Sequence, residues 1–105
     1  VKHINDKSRK GDLAEYYAVT WLWDNGYEVF KNTGCSGPVD LITIKNGEAT
    51  FVDVKSMMKD YTRTSEDNVV YTNKRVRTEA QKKLNVRFLL FNPETRKLRW
   101  VEHEE

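Results

Sequence analysis

A chain of 105 residues without an internal repeat fits a single domain spanning residues 1–105. Its 38% hydrophobic and 11% aromatic content supports one modest core and argues against disorder, and its single Cys excludes both an internal disulfide and a Cys-rich zinc site. No run approaches the roughly 18 apolar residues of a membrane span and no charged-then-apolar segment opens the sequence, so the expected compartment is the cytoplasm.

A helix is expected over residues 8–25, capped by Asp6 or Ser8. Leu13, Ala14, Tyr17, Ala18, Trp21 and Leu22 share one face at a 3.6-residue period, and Asn25-Gly26 supplies the stop. Glu15 lies at the edge of that face, with Trp21 and Trp23 read as helix packing. Residues 27–31 alternate like a short strand, and 32–38 read as a loop. Two strands, 39–45 and 49–55, flank Asn46-Gly47, a strong hairpin signal. Residues 56–73 have no clean period; a connection of that length carries either function or a short unrecognised element. A second helix is expected over 74–84 with Val76, Ala80 and Leu84 aligned, followed by a buried strand at 86–91, a turn at 92–95 and a last strand at 98–101. The order αβββαββ implies an α/β fold, a mixed central sheet flanked by helices. Met57 and Met58 read as gap-filling core, and Trp100 as core or dimer surface.

Charge is unevenly distributed. Between Tyr71 and Arg99 there are nine basic residues and two acids, a net of +7, although the whole chain carries only +2. Such a segment suits phosphates or is simply a solvated face. Lys74, Arg75 and Arg77 are candidates for phosphate contact. Lys59 and Arg63 fit either a lid ordered by DNA or ordinary surface charge, and Tyr61 either a base-stacking or a core-covering ring. Gln81 sits one turn before the end of the second helix. His3, His103 and Cys35 have no partners at useful spacing.

The chemistry-bearing residues are Glu15, Asp40, Asp53 and Lys55. Asp53 and Lys55 project to one side of an apolar strand, Phe51-Val52-Asp53-Val54-Lys55. Asp40 follows Gly37-Pro38-Val39 and opens Leu41-Ile42-Thr43-Ile44. Charges in core-like strands are costly unless paired, hydrogen-bonded or bound to metal. Pairing around Asn46-Gly47 brings Asp40 and Asp53 to matching ends of adjacent strands. Two such carboxylates repel unless a cation lies between them, and oxygen-loving Mg²⁺ accepts one or two carboxylates with phosphate and water. Lys55 is placed to neutralise charge, orient water or stabilise a phosphate.

The segments Lys10-Gly11-Asp12-Leu13-Ala14-Glu15, Asn25-Gly26-Tyr27-Glu28-Val29, Ser36-Gly37-Pro38-Val39-Asp40-Leu41-Ile42 and Phe51-Val52-Asp53-Val54-Lys55-Ser56 together resemble the PD-(D/E)XK nuclease superfamily. Within it they look most like the archaeal-type Holliday-junction resolvases, which also occur in viruses. The resemblance implies a restriction-endonuclease-like core and a homodimer acting on branched DNA in recombination and repair. It also implies Mg²⁺, with Mn²⁺ as an alternative. Glu15, Asp40, Asp53 and Val54 would hold the metal. Lys55 would be the catalytic lysine, with Ser36 near the scissile phosphate and Lys10 and Gly11 near DNA. Some relatives carry a Gln or Lys from the second helix close to the site, so Gln81 joins the candidate DNA contacts, a solvated helical side chain being the other reading. Two departures stand out: Asp53 replaces the usual Glu of the resolvases, and the segment after Ser56 fits the family poorly.

Overall fold

Helix α1 (Lys7–Asp24) leads the computed structural model, which describes residues 7–34, 36–73 and 75–103. Ala14, Ala18 and Leu22 lie at four-residue intervals and are fully buried, so one narrow stripe of the helix faces the sheet. The helix stops in a Schellman-type end: Tyr27 N–H donates to Leu22 O at 3.0 Å and Gly26 N–H to Trp23 O at 3.0 Å, with Gly26 at φ 85°. Lys45 Nζ closes the same end by donating to Asn25 O at 2.7 Å, a cation at the negative pole of the helix.

Strand β1 (Glu28–Lys31) pairs antiparallel with β2 (Leu41–Lys45), and β2 with β3 (Glu48–Ser56). Asn46 and Gly47, at φ 53° and 78°, form the two-residue turn between β2 and β3, the positive pair of a type I′ hairpin. Two short strands, β4 (Met58–Lys59) and β5 (Tyr71–Thr72), pair as a separate ribbon. After α2 (Glu79–Lys83), strand β6 (Arg87–Phe91) runs parallel to β3 and β7 (Leu98–Trp100) returns antiparallel. The main sheet therefore reads β1-β2-β3-β6-β7. Ala18, Leu22, Leu41, Val52 and Leu89 form the core between α1 and one face of the sheet, with Trp21, Tyr27, Val54 and Trp100 packed around it.

Several expectations are corrected. Ser8 lies inside α1 rather than capping it, and Asp6 falls outside the described residues. Trp23 and Met58 are exposed, so neither is packing material. The 56–73 segment is organised around the β4–β5 ribbon and buried Asp60. Asp60 Oδ1 accepts from Thr62 N–H at 3.1 Å and Thr62 Oγ1–H at 2.6 Å, and its own N–H donates to Val70 O at 2.8 Å. The second helix is five residues, not the eleven of 74–84, and the aligned Val76, Ala80 and Leu84 face solvent, Val76 at 77% exposure. The helix starts late because Thr78 and Gln81 close a capping box. Thr78 Oγ1 accepts from Gln81 N–H at 3.2 Å, and Gln81 Oε1 accepts from Thr78 N–H at 3.0 Å.

This packing predicts that Leu22→Ala lowers unfolding free energy by about 2–5 kcal/mol, while Val76→Ala stays within about 0.5 kcal/mol of wild type. Urea denaturation monitored by Trp fluorescence checks both; a costly Val76→Ala would mean that its side chain is covered.

Candidate active site

Asp40 N–H donates to Val52 O at 2.9 Å, yet the Cα partner of Val52 is Leu41. Two consecutive residues thus face one across the strand pair, the signature of a β-bulge, a device that re-aims side chains at a sheet's rim. The carboxyl of Asp40 is turned across to β3, where its Oδ2 accepts from Val54 N–H at 2.9 Å. The preceding loop is fixed by Asn32. Its Nδ2 donates to Ser36 O at 2.6 Å and Val39 O at 3.0 Å, its Oδ1 accepts from Gly34 N–H at 3.0 Å, and its own N–H donates to Asp40 O at 2.9 Å.

Asp53 is 7% exposed and faces three groups. Lys55 Nζ stands 3.3 Å from its Oδ2. Gln81 Nε2 donates to the same oxygen at 2.6 Å while also donating to Pro38 O at 3.1 Å. The third neighbour is the carboxyl of Asp40. Burial, then the hydrogen bond and negative charge of Asp53, then more weakly the charge of Glu15, raise the Asp40 pKa from 3.8 to about 7 against the opposing Val54 N–H. Glu15 reaches this neighbourhood from α1, and its Oε1 is held 3.1 Å from Lys31 Nζ.

The structure therefore brings Asp40, Asp53 and Lys55 together, with Val54 supplying backbone and Glu15 at the border. Gln81 belongs to this cluster as a buried brace rather than to an exposed DNA-contacting face. Arg77 is corrected too: it is 8% exposed, and its Nη1 donates to Val86 O at 3.2 Å, so its guanidinium supports the chain after α2. Lys10, Gly11 and Ser36 are exposed. Lys59 and Arg63 are exposed beside the ribbon, where Lys59 Nζ lies 5.3 Å from the ring centre of fully presented Tyr61. Arg75 is exposed, while Lys74 and Cys35 lie outside the described residues. His103, assigned no role from sequence, accepts from Phe88 N–H through Nε2 at 3.0 Å and packs edge-on against the Phe88 ring at 5.2 Å between centroids. Asn32 and Lys31 were not foreseen; a Gln close to the site was expected only through the resemblance, and the sequence signal for the inward turn of Gln81 is the Thr78-x-x-Gln81 spacing of a capping box.

No protein-family model and no curated protein matches the chain. Among solved structures, the bacterial homing endonuclease I-Ssp6803I superposes with a TM-score of 0.67 over 92% of this chain and 69% of that chain, at 21% identity. The fold is restriction-endonuclease-like. At that identity the likeness is one of architecture, a nuclease-type fold, and does not extend to a resolvase subtype. No described helix is long and apolar enough to cross a membrane.

Asp40 carries a folded-state pKa of about 7, above its value of about 3.9 in an unfolded chain. Between those values the folded protein holds the extra proton, so without divalent cations this group's contribution to stability is retained at low pH and lost as pH rises towards 7. Asp40→Asn removes that loss. Urea unfolding midpoints in EDTA should therefore fall less between pH 5 and pH 8 in the variant; parallel pH profiles would contradict the carboxyl–carboxyl contact.

Proposed function

We propose that the protein is a Mg²⁺-dependent DNA endonuclease that hydrolyses phosphodiester bonds in branched DNA, with the four-way junction as its preferred substrate. One observation carries the reading: two carboxyls, half-buried Asp40 and buried Asp53, meet across adjacent strands with Lys55 Nζ 3.3 Å from the second. The likeness in fold to a protein named as a homing endonuclease supports DNA as the substrate.

The donor set fits magnesium. Among the described residues no three His, Cys, Asp or Glu side chains converge into an all-protein cage, whereas Mg²⁺ keeps several waters and takes one or two carboxylates plus substrate phosphate. Asp40, Asp53 and the Val54 carbonyl would hold it, with Glu15 of α1 at the border of the set; Mn²⁺ suits the same oxygens. When bound, the metal supplies charge neutralisation and Lewis-acid polarisation of the phosphate. The chain's own groups do the rest. Val54 N–H fixes the Asp40 carboxyl, Gln81 fixes Asp53, and Lys31 restrains Glu15. Lys55 presents an ammonium to the negative charge that develops on the phosphate. Fixed donors of this kind need no rearrangement as the bond breaks.

A second copy of the chain would give paired cuts on a junction.

Cleavage of a labelled immobile junction, with duplex and flap controls and with Mg²⁺ or EDTA, tests the reading. Junction cutting should require Mg²⁺, and Lys55→Ala or Asp53→Asn should slow it by roughly 10²–10³ while leaving DNA binding largely intact. Equal cutting of plain duplex would remove the junction preference. Failure to cut any DNA would leave only a binding module on this fold.

A further inference from the structure

The sheet face that carries Asp53 and Lys55 continues away from the carboxylates. By register, Asp53 neighbours Phe88 and Lys55 neighbours Leu90 on β6, and Leu90 neighbours Arg99 on β7. Val101 N–H donates to Phe88 O at 3.0 Å, extending the first row. Side chains in one row point the same way, and Lys55 Nζ does stand 5.7 Å from the centre of the Phe88 ring. Over these rows opens a cavity of about 180 Å³ lined by Asn73, Arg75, Val76, Phe88, Leu90, Arg99, Val101, Glu102 and His103. Its floor is apolar, from Phe88, Leu90 and Val101, and His103 is anchored to that floor through Phe88 N–H.

The charges at its mouth are unbalanced. Neither Arg75 nor Arg99 has an acidic partner among the described residues. The acid in the lining, Glu102, is turned towards Arg87, with Oε1 3.6 Å from Nη2. Arginine forks match phosphate oxygens and also lie flat against bases. The volume is below the roughly 300–1,000 Å³ typical of drug-sized pockets, so it suits one ring and not a helical segment. Arg99 lies two strand spacings from Lys55, roughly 10 Å.

We propose that this cavity is a nucleotide subsite: Arg75 and Arg99 hold a backbone phosphate beside the scissile one, and the cavity takes an unstacked base or sugar of the same strand. The inference rests on the endonuclease reading and deepens it, because a strand that offers an unstacked nucleotide is a strand at a branch, gap or end. Duplex DNA must first pay the cost of unstacking.

The test titrates the dinucleotide TpT into the ¹⁵N-labelled protein in EDTA and low salt. Amide shifts should concentrate at Val76, Arg99, Val101 and His103. Arg99→Gln should weaken binding about tenfold, and Lys83→Gln, a remote exposed cation, should leave it unchanged. Shifts centred elsewhere, or equal weakening by both variants, would overturn the subsite. The metal-free readout separates the two proposals. TpT in the cavity of a protein that cuts no DNA sinks the nuclease reading alone. Junction cutting with TpT bound elsewhere, and with Arg99→Gln cutting at the wild-type KM, sinks the subsite alone.

Discussion

Two carboxyl groups are pressed together where backbone geometry leaves them no alternative. Asp40 sits at a bulge opposite Val52, and Asp53 follows Val52 on the facing strand, so the register that buries Leu41 and Val52 against α1 also sets the acids side by side. Like charges at that distance in a half-dry setting oppose folding unless something neutral or positive intervenes. Everything nearby answers that constraint: the proton that Asp40 retains to about pH 7, the Lys55 ammonium, the Gln81 amide and the Val54 N–H. Helix α2, only five residues long, makes sense in these terms. Its capping box consumes Gln81 Oε1, which turns Nε2 towards Asp53 and Pro38 and ties the loop before Asp40 to the strand that carries the lysine.

The parts legible from sequence were those governed by local chemistry. Asn46-Gly47 announces its turn because the type I′ geometry needs positive φ at both positions, and from that turn the pairing of β2 with β3 and the meeting of Asp40 with Asp53 follow by counting. The four-residue beat of Ala14, Ala18 and Leu22 sets the buried stripe of α1 in the same way. Where tertiary contacts override local pattern, reading fails. Val76, Ala80 and Leu84 keep helical spacing but face solvent, because the chain before Thr78 is non-helical and the short helix buries its polar Gln81 instead. Arg77 reads as a surface cation; its donation to a backbone carbonyl nine residues later leaves no trace in composition. The β4–β5 ribbon is two residues per strand, too short for any period to show, and it is organised by side-chain bonds from Asp60 and Thr64.

The basic C-terminal half also divides on inspection. Lys82 pairs with Glu79, Arg87 with Glu102 and the face of Trp100, and Arg96 lies over Tyr17, so these cations are engaged within the protein. Of the other described cations there, Lys83 and Lys97 lie away from the cavity, whereas Arg75 and Arg99 both border it next to Lys55. In the proposed enzyme, acids cluster at one end of the sheet face and uncompensated guanidinia at the other. A strand laid across that face would meet metal-holding oxygens at the bond to be cut and fixed cations beyond it. The shared fold with an endonuclease is compatible with that polarity, and the polarity itself comes from this chain's own residues.

The central claim is that Asp40 and Asp53 jointly hold a divalent cation, and an EPR titration with Mn²⁺ tests it most directly. The account predicts one bound ion per chain in the wild type, and its loss in both Asp40→Asn and Asp53→Asn while circular dichroism shows the fold intact. Unchanged Mn²⁺ binding in either folded variant would contradict it.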